Sequence, residues 1–250
     1  IATSLVLFVL AVASSASGVD GVHAWSKRIG GTSDDQATSV AVDSAGNVIV
    51  AGNTLSSAID FGGGPLPTIN LGDFVIAKYS PSGAHVWSRR IGGVGYDTVS
   101  SVAADTSGNI VVVGETDGAT IDLGGGLLNG FGGFDLFVAK YSPGGVFLWG
   151  KRFGGTSADL PIAVAFDPSG SVLLAGHSSS PSINLGGNAL TGFGTYDIVV
   201  AKYASDGTHA WSKRLGGGSS DYSAGIASDS AGNVLLSGHS FSSPLDLGGG

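Results

Sequence analysis

Residues 25–87 read WSKRIGGTSDDQATSVAVDSAGNVIVAGNTLSSAIDFGGGPLPTINLGDFVIAKYSPSGAHVW, a stretch that opens and closes on tryptophan. Trp25, Trp87, Trp149 and Trp211 are each 62 residues apart, and the same period recurs without insertion in other columns. Asp35, Asp97, Asp159 and Asp221 form one column; Asp43, Asp105, Asp167 and Asp229 form a second. Lys78, Lys140 and Lys202 form a third, and Arg28, Arg90, Arg152 and Arg214 a fourth. Self-similarity at a fixed period is the signature of a repeat architecture, in which one supersecondary unit recurs. Within the unit, residues 39–43 (SVAVD) alternate, residues 44–47 (SAGN) make a tight turn, and residues 47–52 (NVIVAG) are a β-rich run. Together these predict a hairpin. A Gly-rich stretch containing residues 59–67 (IDFGGGPLP) follows, then a third strand at 74–79 (FVIAKY), a turn at 80–83 (SPSG) and a fourth strand at 85–91 (HVWSRRI). No segment of the repeat has helical periodicity. Four antiparallel strands per period predict an all-β fold, a β-propeller of four-stranded blades.

Composition narrows the class. The 250 residues include 44 Gly and 35 Ser but only 30 charged side chains, 11 basic and 19 acidic. Hydrophobic residues make up 42%, which excludes disorder through low hydrophobicity. The absence of Cys removes disulfides, thiolate metal sites and cysteine nucleophiles together. A net charge of −8 argues against nucleic acid, whose phosphates require a concentrated basic surface.

Counted from inner strands at residues 39, 101, 163 and 225, the chain holds three complete blades and a partial fourth. There is no Met and the chain starts at Ile1, so a fragment of a larger propeller is expected. Residues 5–12 (LVLFVLAV) followed by small residues match the apolar core and cleavage region of a secretory signal, giving an expected truncated leader at 1–18 before repeats at 19–250. The alternative is that residues 5–12 are a degenerate third strand that closes the last blade. The apolar run is too short to span a membrane, and the mature chain has no candidate span.

Units of the form W-S-K-R-I-G-G-T-S-D-D, then A-V-D-S-A-G-N-V-I-V-A-G, then F-V-I-A-K-Y-S-P-S-G resemble the bacterial SBBP β-propeller repeat family, over roughly residues 23–250. The resemblance implies a secreted or cell-surface propeller, often set in a larger protein, with no established chemistry. The long Gly-rich insertion between second and third strands departs from the family pattern.

In propeller topology, the connections leading out of fourth strands and out of second strands emerge on one face. That face would gather Asp35, Asp97, Asp159 and Asp221 with Asp73, Asp135 and Asp197, and with Asp60, Asp122 and Asp246. These ten form a candidate acidic binding face for cations, cationic ligands or hydroxyl-rich ligands, on the longest loops of the scaffold. The second Asp column opens an Asp-x-x-Gly turn and reads as structural. The repeated bases read as partners of each unit's own acids, the Trp column as packing with its N–H satisfied, and the His columns as surface members of strands. No Asp-rich calcium loop, phosphate loop or nucleophile elbow occurs. No cofactor is expected, calcium being the alternative, and no distinguished catalytic cluster stands out. The expected function is therefore a recognition or structural scaffold for an extracellular protein or glycan; a polysaccharide-acting enzyme or a calcium-stabilised adhesion module are the alternatives.

Overall fold

The computed structural model describes residues 9–13, 22–70 and 72–247, all strand, turn and irregular backbone without a helix. No helix among them is long and apolar enough to cross a membrane. Strands β1 (Val9–Ala13) and β2 (Val22–Lys27) come first. The first full unit comprises β3 (Asp35–Val42), β4 (Val48–Thr54), β5 (Ala58–Asp60), β6 (Pro65–Pro67), β7 (Asp73–Tyr79) and β8 (His85–Gly93). The second is β9 (Asp97–Ala104), β10 (Ile110–Thr116), β11 (Thr120–Asp122), β12 (Leu127–Asn129), β13 (Asp135–Tyr141) and β14 (Phe147–Phe153). The third is β15 (Asp159–Phe166), β16 (Val172–Ser178), β17 (Ser182–Asn184), β18 (Ala189–Thr191), β19 (Asp197–Tyr203) and β20 (His209–Leu215). Strands β21 (Asp221–Ser228) and β22 (Val234–Ser240) begin a fourth.

Each full unit sets its four long strands side by side and antiparallel, in the orders β3-β4-β7-β8, β9-β10-β13-β14 and β15-β16-β19-β20. First strands are neighbours across units, β3 beside β9, β9 beside β15 and β15 beside β21. The sheets of the second and third units are thereby covered on both faces, and their second and third strands are continuous apolar runs. Along β4 and β7, Ile49, Ala51, Phe74 and Ile76 feed the core shared with the second unit, whereas Val48, Val50, Val75 and Ala77 face the other way.

Two features go beyond the sequence reading. First strands start four residues earlier than the alternating run, at the Asp of the first column, because a bulge between Ala37 and Ser39 re-aims the chain. The bulge demands a glycine opposite: a Cβ on Gly52 would collide with the Gln36 carbonyl oxygen. The Gly-rich insertion, read as loop, folds into the small hairpins β5–β6, β11–β12 and β17–β18. In the first of these, the Asp60 carboxylate accepts the N–H groups of Gly62 and Gly64 at 2.7 and 3.0 Å, and Ile59 and Phe61 are buried. The Tyr79 hydroxyl then donates to the Phe61 carbonyl at 2.9 Å, with Tyr141 and Tyr203 repeating the bond.

Strand β1 pairs antiparallel with β2. Ala11 lies opposite Trp25 as Lys78 lies opposite Trp87, and both pairings shift register at the next residue. The expected leader at 1–18 lies outside the described residues apart from Val9–Ala13.

Candidate functional site

The charged columns meet at the seams between units. Asp73, at the start of β7, is fully buried, and its Oδ2 accepts Arg90 Nε–H at 2.6 Å and the Ile69 N–H at 2.9 Å. Asp135 with Arg152 and Asp197 with Arg214 repeat the pair, at 2.7 and 2.9 Å. In each, the carboxylate Oδ1 has no hydrogen-bond partner and packs on a glycine of the fourth strand's end, Gly92, Gly154 or Gly216. Beside Asp73 lies Asp97 of the next unit, whose Oδ2 accepts the Gly93 N–H at 2.5 Å. Asp159 is held likewise by Gly155 N–H at 2.7 Å and by the Ser178 and Ser180 hydroxyls. Burial pushes the carboxyls of Asp97, Asp135 and Asp159 above the ordinary value, and their hydrogen bonds only partly oppose it.

The structure thus places seven of the ten predicted acidic residues inside the seams: Asp35, Asp73, Asp97, Asp135, Asp159, Asp197 and Asp221 are all buried. Asp60 and Asp122 are exposed and serve their own hairpin turns, and Asp246 is exposed and pairs by its backbone with Gly216. The ten lie toward the same ends of the strands without forming one exposed acidic surface.

The turn-opening column behaves as read. Asp43 Oδ1 accepts the N–H groups of Ala45 and Asn47 at 3.0 and 2.9 Å, and Lys78 Nζ reaches Asp43 Oδ2 at 2.8 Å. Burial alone would raise the Asp43 carboxyl, but the Lys78 and Asn47 hydrogen bonds outweigh it and hold it low. The Trp N–H groups bind across units: Trp25 to Pro81 O, Trp87 to Pro143 O and Trp149 to Ser205 O, each at 3.0 Å.

Above the seam of the first and second units a cleft of about 570 Å³ opens. Its floor is made of side chains that barely change from repeat to repeat: Asp35, Thr54 and Asp97. Its rim is made of Asp34, Gln36, Leu55, Tyr96 and Thr98, with Gly72 behind them. The residues around the cleft vary from unit to unit. Position 34 becomes Tyr96, Ala158 and Ser220; position 36 becomes Thr98, Leu160 and Tyr222. Position 53 becomes Glu115, His177 and His239, and position 72 becomes Phe134 and Tyr196. Gly72 keeps the cleft open. Its φ is +67°, and a Cβ there would come within 2.7 Å of the Tyr96 ring. Tyr96 and Leu55 are 50% and 52% exposed, so a flat ring and an aliphatic side chain face solvent together. Asp117 fixes the tyrosine's backbone by accepting its N–H at 2.7 Å, and Asn53 Oδ1 accepts the Val99 N–H at 2.8 Å.

At the seam of the third and fourth units the same columns are filled by rings. His177 meets Tyr196 and Tyr222 edge-on at 5.4 and 5.0 Å, and His239 lies 5.1 Å beyond Tyr222. His177 is buried at 8% exposure, in contrast to the surface position expected for the His columns. Burial, with the neighbouring His239, holds its imidazole below the ordinary value. No group of three or more His, Asp or Glu among the described residues could hold a metal ion.

The profile of the SBBP β-propeller repeat matches residues 24–59, 86–121 and 210–246. An uncharacterized WD repeat-containing protein of Acanthamoeba polyphaga mimivirus is 24% identical over 249 residues, spanning 79% of this chain. The chain covers 18% of that relative's length. A solved protein of unknown function from Bacteroides caccae aligns at 12% identity over 77% of this chain and 85% of its own, with a TM-score of 0.27.

Proposed function

We propose that this chain, which carries SBBP β-propeller repeats, is a recognition scaffold whose ligand face is the rim above its seams. In this reading the four-stranded units are propeller blades, radiating from their adjacent first strands, and the module works outside the cell or on its surface. The observation that carries the reading is a division of labour among columns. The buried side chains of the repeated Asp and Arg columns bond within and between units, whereas the rim columns diversify around an open cleft. A rigid framework presenting varied side chains on one rim is how such scaffolds bind. Binding without turnover is part of the proposal: the seam carboxylates, which an enzyme acting on polysaccharide would need free, are committed to guanidinium, hydroxyl and backbone N–H groups.

The test is an array carrying glycans and peptides, probed with the chain and with the double variant Gln36→Ala/Tyr96→Ala. Both side chains are exposed, so the unfolding midpoint should not move. Array features that bind the chain and release the variant support the reading. Equal binding by the two proteins, or no binding by either, overturns it.

A further inference from the structure

We infer that the 570 Å³ cleft between the first and second units takes a neutral pyranose residue of a glycan, laid against the ring of Tyr96. This rests on the recognition reading and names the ligand class for the cleft described above. The volume lies within the range of ordinary ligand pockets, ~300–1,000 Å³, and suits one or two sugar rings. Two exposed apolar surfaces, the Tyr96 ring and Leu55, supply what the C–H face of a pyranose packs on. Around them stand groups matched to vicinal hydroxyls: the Asp34 carboxylate and the Gln36 amide, which make no side-chain hydrogen bond among the described residues, and the Thr98 hydroxyl. The amide can accept and donate, as neighbouring sugar hydroxyls do.

The lining also determines charge preference. No Lys, Arg or His lines the cleft, so an anionic sugar would meet carboxylates at Asp34, Asp35 and Asp97 with no counter-charge. Two of these, Asp35 and Asp97, are buried and already accept backbone N–H groups, at 2.6 and 2.5 Å. Only Asp34 is exposed for a ligand, and a single carboxylate on an open rim suits a hydroxyl donor. The repeats themselves supply the contrast. Where Gly72 is replaced by Tyr196 and Gln36 by Tyr222, rings pack on one another in place of an opening.

The experiment is calorimetric titration of the full chain with neutral cello-, malto- and manno-oligosaccharides, alongside cationic chitosan oligomers and anionic heparin fragments. A neutral oligosaccharide should bind best. Tyr96→Ala should weaken it about tenfold and Tyr96→Phe should retain it, since the ring rather than the hydroxyl carries the stacking. Absence of binding by every neutral oligosaccharide, tighter binding of a charged one, or indifference to Tyr96→Ala overturns the assignment. Should a peptide or charged probe bind the chain and be lost from Gln36→Ala/Tyr96→Ala, recognition stands and the saccharide assignment falls. If no binding depends on those two residues, both fall.

Discussion

Asp135 is a buried acid with one oxygen committed to Arg152 and the Phe131 N–H, and the other pressed on Gly154. Removing its counter-ion leaves a charge with no water to solvate it. Arg152→Ala should therefore cost about 3–5 kcal/mol, read from urea unfolding. The carboxyls also divide by sign. Asp159 is pushed up by burial, so the folded state binds more protons than the unfolded one above pH 3.8, and stability falls as pH rises through that window. Asp167 is the opposite case: burial is outweighed by hydrogen bonds from Lys202, Ser169 and Ser171, its carboxyl is lowered, and its contribution is full above pH 3.8 and lost as pH falls below it. Unfolding free energies measured between pH 2 and 7 should show Asp159→Asn flattening the first slope and Asp167→Asn the second. Turn-opening aspartates were legible from Asp-x-x-Gly alone, because their partners lie two to four residues away. The Arg–Asp pairs were legible as repeated charges but not as pairs, since 17 residues and a hairpin turn separate Asp73 from Arg90.

Strands and turns bring the next level of control. The indoles of Trp25, Trp87 and Trp149 reach the turn of the following unit, and Trp149→Phe keeps the apolar body while removing one inter-unit hydrogen bond. The cost should be about 1 kcal/mol in thermal unfolding. His177, on β16, is enclosed by Tyr196 of its own unit and by Tyr222 and His239 across the seam. Its lowered value means that the seam is at full strength at and above pH 6.5 and weakens as pH falls through the folded value, because the protonated ring lacks water. His177→Phe should abolish this loss between pH 7 and 5 while leaving the stability at pH 8 nearly unchanged, measured by urea midpoints. The sequence showed strands and their order, since β-branched runs and turn residues are local signals. It hid the rim. Superposing repeats to find the period draws attention to columns that agree, whereas the cleft is made by Gly72, Gln36 and Tyr96, where they disagree.

Across the whole molecule, stability is shared between units that each complete the next. The seam contacts described above join protein groups to one another, so we propose that no metal holds the units together: a chelator should leave the melting midpoint unchanged, and a drop of several degrees would establish a cation in the fold. Seams are nearly identical and clefts are not, so the two properties can vary independently. The seam of the first and second units draws an Asp–Arg pair from one side and a second Asp from the other, across a boundary that recurs each 62 residues. A genetic duplication or loss of one such length therefore joins matched surfaces and preserves the fold, yet changes which rim residues become neighbours. Unequal recombination within this gene would generate new clefts on an unaltered framework.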